Sequence, residues 1–176
     1  MMISVPFKII LVSLLLGAAT SSVRAYSTQD DSRKHLLQNQ PGDGYAKIDG
    51  RVYYRGKEIS NANAASFQFL GEGYAKDTWK VYFRGAAVPD ASPSTFQSLG
   101  AGYAKDAWNL FYRGVKVEGA SASTFKALGG GYAKDSWTVF YRGQELKGAG
   151  ATTFEYLDNG YARDAYSKFY RGEKLQ

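Results

Sequence analysis

The chain has 176 residues and a formal net charge of +6, and its 44% hydrophobic and 15% aromatic content suffices for one domain with a real core. It contains no cysteine, which excludes disulfides, thiol catalysis and cysteine-ligated metals. Twenty glycines against two methionines point to many turns rather than to a Leu/Met-rich helical bundle.

In chain order, the first element is a signal peptide over residues 1–25. Lys8 gives a positive start, Ile9 to Ala19 is an apolar run too short to span a bilayer, and Val23-Arg24-Ala25 ends on a small residue. Cleavage is expected after Ala25, which removes Lys8 and Arg24 but no acid and lowers the formal charge from +6 to +4. The protein is therefore expected to be secreted or periplasmic, with no transmembrane segment after cleavage. Residues 26–43 are polar, lack periodicity and hold the single histidine, His35; they read as a flexible leader. The remaining positive charge is spread evenly, so no nucleic-acid partner is expected.

Residues 44–176 form a five-copy repeat domain. Gly-Tyr-Ala-Lys/Arg recurs at Tyr45, Tyr74, Tyr103, Tyr132 and Tyr161, each 29 residues after the one before. A fixed period of this size marks units that bury their apolar faces against one another. In the fourth copy, Gly131 to Asp135 reads as a short strand, Asp135-Ser136 as a turn and Trp137 to Arg142 as a second strand. Gly143 then permits another tight turn before a third extended piece at Leu146. The first copy carries Asp49-Gly50, the pair that a type I′ hairpin turn favours.

A short helix is expected next in each unit. Asn63, Ser92, Ser121 and Gly150 are suited to cap it, and Pro93 to open it. The pairs Phe67/Leu70, Phe96/Leu99, Phe125/Leu128 and Phe154/Leu157, three residues apart, would share one helix face. Gly71, Gly100 and Gly129, with Asp158 in the last copy, would end it. In the central strand, triplets such as Val81-Tyr82-Phe83 send their outer members to one face and their middle member to the other. Both faces would be covered, one by the helices and one by the adjoining repeat. The end copies differ, with Gly50 and Tyr166 at the Trp position and Lys168 at a Val position, as expected of an array with polar ends. The expected fold class is thus mainly β with short helices, an α+β repeat of 29-residue β-hairpin plus short-helix units stacked in an elongated, curved array.

The pieces Tyr74-Ala75-Lys76-Asp77, Tyr82-Phe83-Arg84-Gly85 and Thr95-Phe96-Gln97-Ser98-Leu99, with their equivalents, resemble the DKNYY family of bacterial repeat proteins. The resemblance runs from about Gly44 onward. It departs from the family's name motif after the Asp, where Thr-Trp, Ala-Trp or Ser-Trp stands for Lys-Asn. It implies an exported or envelope-associated protein with no assigned activity.

No residue set suits catalysis. A nucleophile needs a base beside it, and His35 lies in the leader. Asp77, Asp106, Asp135 and Asp164 recur once per unit, which fits a turn that bonds its own backbone better than one active site. Each follows a Lys or Arg, which disfavours a calcium site, and no cofactor or metal is expected. The candidate partner- or ligand-binding residues are Trp79, Trp108, Trp137, Arg84, Arg113 and Arg142. The tryptophans either cap the neighbouring unit's core, which is the expectation, or stack on a sugar or a partner. The arginines, with Arg55 and Arg171, either pair with the turn aspartates, the default, or lie over rings or hold an anionic polymer. The partner is expected to be an envelope protein or a cell-wall glycan, bound without catalysis.

Overall fold

The computed structural model describes residues 43–176. The signal peptide, the Ala25 cleavage site and the leader up to residue 42, with His35, lie outside the described residues. Among the described residues no helix is long and apolar enough to cross a membrane.

Every unit is a small antiparallel meander. The first sheet pairs Tyr45–Ile48, Arg51–Tyr54 and Lys57–Glu58 in that order. The second has four strands, Gln68–Gly71, Tyr74–Lys76, Val81–Phe83 and Ala86–Ala87, and the other three sheets repeat its order. The Asp49-Gly50 turn forms as the sequence predicts: φ is 51° and 72°, both positive, and Ile48 pairs with Arg51 across it. The Arg-Gly turns have the same hand; Arg84 and Gly85, for instance, sit at φ 49° and 83°.

The short helices are absent. Each predicted helix is one turn, residues 64–66 in the second unit, after which the chain enters a strand. The capping residue still acts as its type suggests, since the Asn63 side-chain oxygen accepts hydrogen bonds from the N–H groups of Ala65 and Ser66. Pairing decides the state of the residues beyond it. Gln68–Gly71 bonds to Tyr74–Lys76, so its backbone groups are satisfied along a ladder, whereas a seven-residue helix would nucleate at a cost with few bonds in return. Gly71, Gly100 and Gly129 do adopt positive φ, but each sits where the strand register shifts before the hairpin turn. The strand predicted over residues 137–142 of the fourth copy is also shorter than expected: it spans Val139–Tyr141, the third of its sheet, with Trp137 in the preceding turn.

The core consists of four clusters, one at each junction between successive units. The second junction shows how each is built. Tyr74, Val81 and Val88 face forward from the second unit; Ala104 and Phe111 face back from the third; Phe96, from the intervening turn, wedges between them. Its ring centre is 5.5 Å from both Tyr74 and Phe111. The strand residues alternate as the sequence predicts, but the neighbouring units cover both faces of each inner sheet. Val81 belongs to the junction ahead and Tyr82 to the junction behind.

That arrangement corrects the Phe/Leu pairs as well. Phe67 packs in the first junction and Leu70 against the second. In near-extended backbone an odd spacing of three places two side chains on opposite faces, so the pair links two cores instead of lining one.

Candidate functional site

The turn between the second and third strands of each four-stranded sheet is held by its aspartate. One oxygen of Asp106 accepts the Trp108 and Asn109 N–H groups at 2.8 and 2.6 Å, and the other accepts the Ser92 N–H at 2.9 Å. Asp77, Asp135 and Asp164 repeat this pattern, and Asp77 also receives the Tyr82 hydroxyl at 2.8 Å. Burial alone would raise these carboxyls, but the converging N–H donors outweigh it and hold Asp77, Asp106 and Asp164 below the usual carboxylate range. The aspartates thus fasten the turn to the start of their own unit.

With the backbone fixed this way, the side chain at the turn's third position is free to project. Trp79, Trp108 and Trp137 are 74%, 82% and 86% exposed, and Tyr166 in the last unit is 96% exposed. This corrects the expectation that each indole caps a neighbour's core. The core at that level is already closed by the Phe wedge and the alanine of Gly-Tyr-Ala. Four large aromatics therefore stand in the open at equivalent turns of successive units.

The arginines also depart from their expected role. Arg55, Arg84, Arg113, Arg142 and Arg171 lie over the ring of the residue before them, Tyr54, Phe83, Tyr112, Tyr141 and Tyr170, at 5.1–5.7 Å from its centre. Among the described residues no salt bridge joins them to the turn aspartates, whose oxygens already engage backbone N–H groups. Arg55, Arg84, Arg113 and Arg142 line one groove of about 660 Å³, floored by the Gly-containing turns of the first hairpins.

The topology separates the two rows. In each meander the Trp turn joins the second and third strands, while the Arg-Gly turn joins the third and fourth. The strands run between them, so the aromatic row and the arginine groove occupy opposite ends of the sheets. Trp79, Trp108 and Trp137 do not share a surface with Arg84, Arg113 and Arg142.

Sequence reasoning missed the tyrosine that leads each repeat. The Tyr103 hydroxyl donates to the Gly131 carbonyl at 3.0 Å and accepts the Gly143 N–H at 3.0 Å, both in the next unit. Tyr45, Tyr74 and Tyr132 make the same pair of hydrogen bonds at their junctions. Burial raises their phenols against the lowering pull of the Gly N–H donors; those of Tyr45 and Tyr74 are pushed up to about 12. The lysine two places on also reaches across, as Lys134 Nζ donates to the carbonyls of Ala151 and Phe154 at 2.7 and 2.9 Å. The recurring Gly-Tyr-Ala-Lys was visible in the sequence; that its polar tips cross junctions was not.

No match to this chain was found among curated proteins or among solved structures. The chain does match the DKNYY family over residues 45–173, a span that takes in all five sheets and both rows of side chains. With the repeated turn, strand and Arg-Gly grammar in place across that span, the chain belongs to the DKNYY family.

Proposed function

We propose that this is a non-enzymatic binding module, exported to the periplasm or beyond, that engages an envelope protein through Trp79, Trp108, Trp137 and Tyr166. The observation that carries this reading is the exposure of three indoles, 74–86%, on turns whose backbone is secured without them. Exposed aromatics in a regular row are costly to leave in water and supply much of the energy at protein interfaces. The turn aspartates, the residues best placed by recurrence for acid–base chemistry, are engaged with backbone donors, which supports a module that binds without reacting. Contacts run from the first strand of one four-stranded sheet to the first strand of the next, which supports an elongated, curved array offering an extended surface.

The same spacing of exposed rings would also suit the sugar faces of a cell-wall polymer, so the test must separate the two. Tagged protein is used to capture material from solubilised envelope, beside a Trp79→Ala/Trp108→Ala/Trp137→Ala variant. The reading requires one protein, retained by the wild type, lost by the variant and rebound after purification. Retention of wall polymer in its place would favour the glycan reading. Equal retention by both forms would remove the aromatic row from the account.

A further inference from the structure

The groove at the opposite end of the sheets contains its own template for a ligand. In the turn that leads into each Gly-Tyr strand, the residue before Gly-Tyr sits at positive φ: Asp43, Glu72, Ala101, Gly130 and Asn159. At the first two positions an acid reaches into the following unit. The Asp43 carboxylate accepts the Gly73 N–H at 2.8 Å, and the Glu72 carboxylate accepts both the Ala101 N–H, at 3.1 Å, and the Gly102 N–H. The turn thus offers a pair of backbone N–H groups to a carboxylate, a concave donor set of the kind that binds anions.

The acids then stop while the turns continue. Gly130-Gly131 and Asn159-Gly160 repeat the turn, yet the residues that would supply the carboxylate from the unit before are Ala101 and Gly130. The cations do not stop. Arg113 and Arg142 line the groove at the Gly130-Gly131 turn, and Arg142 and Arg171 line the groove at Asn159-Gly160. An acid thus fills the turn at each of the first two junctions, whereas no acid is among the residues that line the groove beside the arginines at the last two.

We infer that the Gly130-Gly131 and Asn159-Gly160 turns are carboxylate-binding sites that take acidic side chains of a protein partner, in the manner of Glu72 at the turn before them. This deepens the binding reading above and rests on it for the identity of the partner as a protein. A carboxylate fits better than a bulkier polyanion because the occupied turns are filled by single side-chain carboxylates. Arginine beside paired N–H donors adds charge-assisted bonds to the same group.

The test is a titration of ¹⁵N-labelled full chain with tetraglutamate, with tetraglutamine and oligogalacturonate as comparison probes. Tetraglutamate is expected to shift the Gly130, Gly131, Asn159 and Gly160 amides saturably, tetraglutamine to leave them still, and the Ala101 and Gly102 amides to stay unmoved behind Glu72. Ala101→Glu, which would supply the missing carboxylate in cis, is expected to weaken the Gly130-Gly131 response at least tenfold. Glu72→Ala is expected to open a third responsive turn at Ala101-Gly102. An equal response to tetraglutamine, or one that Ala101→Glu leaves unchanged, would overturn the site. A response to oligogalacturonate alone would overturn the assignment to a protein carboxylate. None of these readouts involves the tryptophans, so failure here and failure of the aromatic row are distinct results.

Discussion

Two polar side chains recur in every four-stranded unit but the last and fasten the backbone around the apolar clusters: the leading tyrosine, which reaches across the junction, and the turn aspartate, which ties its own unit together. Removing the Tyr103 hydroxyl by Tyr103→Phe leaves the Gly143 N–H and the Gly131 carbonyl without their partner, at a cost of about 1–3 kcal/mol. Urea unfolding of the variant beside wild type measures it. The same hydroxyls set an alkaline limit. The phenols of Tyr45 and Tyr74 lie at about 12 in the folded chain, against 10.0 ordinarily, so the folded state favours the protonated form. Their contribution is complete below pH 10 and is lost as pH rises toward 12. A urea midpoint flat up to about pH 9 and falling beyond 10 is the expected profile; a flat profile to pH 12 would contradict the buried tyrosine bonds. The turn aspartates have the opposite sign. With folded values depressed, Asp77, Asp106 and Asp164 stabilise above the ordinary carboxylate value near 4 and lose that effect as pH falls through their folded values. Asp106→Ala, which strips three N–H groups of their acceptor, is expected to cost roughly 3 kcal/mol and to blunt the acid limb of the same profile.

At the scale of the element, the turns were the most legible part of the sequence and the segment after them the least. Asp49-Gly50 and the glycine of each Arg-Gly pair announce left-handed backbone, which glycine adopts freely and aspartate more readily than most residues; the positive φ of the arginine before that glycine is not readable from its type. Phe-x-x-Leu did not announce its state, since a spacing of three is a shared face on a helix and opposite faces on a strand. Only pairing with the next Gly-Tyr-Ala-Lys segment decides between them, and that is a non-local fact. The Arg-Gly turns also allow a clean measurement of what a neighbour contributes. Gly56 and Gly114 have nearly equal φ, 82° and 79°, but a Cβ on Gly56 meets nothing within 4 Å while one on Gly114 would lie 2.7 Å from the Phe83 Cβ of the preceding unit. Gly56→Ala is expected to cost about 1–2 kcal/mol, the penalty of a left-handed alanine. Gly114→Ala is expected to cost that and a further 1–3 kcal/mol or so, as the two units are forced apart. Equal losses in thermal or urea unfolding would mean that the turn does not bear on its neighbour.

For the whole molecule, the 29-residue period foretold units that complete one another's cores, and four junction clusters are what the structure shows. The roles of the two rows were not legible, because exposure depends on what else fills the junction. The Phe wedges and the tyrosine hydroxyls left no place in the core for the tryptophans, and the aspartates' bonds to N–H groups left the arginines to their rings. The central claim is that the aromatic row stands outside the folding machinery and is available to a partner. The measurement that bears on it most directly is urea unfolding, followed by circular dichroism, of the Trp79→Ala/Trp108→Ala/Trp137→Ala variant beside wild type. The account predicts a total change below roughly 1.5 kcal/mol, the range for three surface substitutions. A loss of several kcal/mol would show that the indoles pack in the fold and would remove the free surface on which the proposed binding depends.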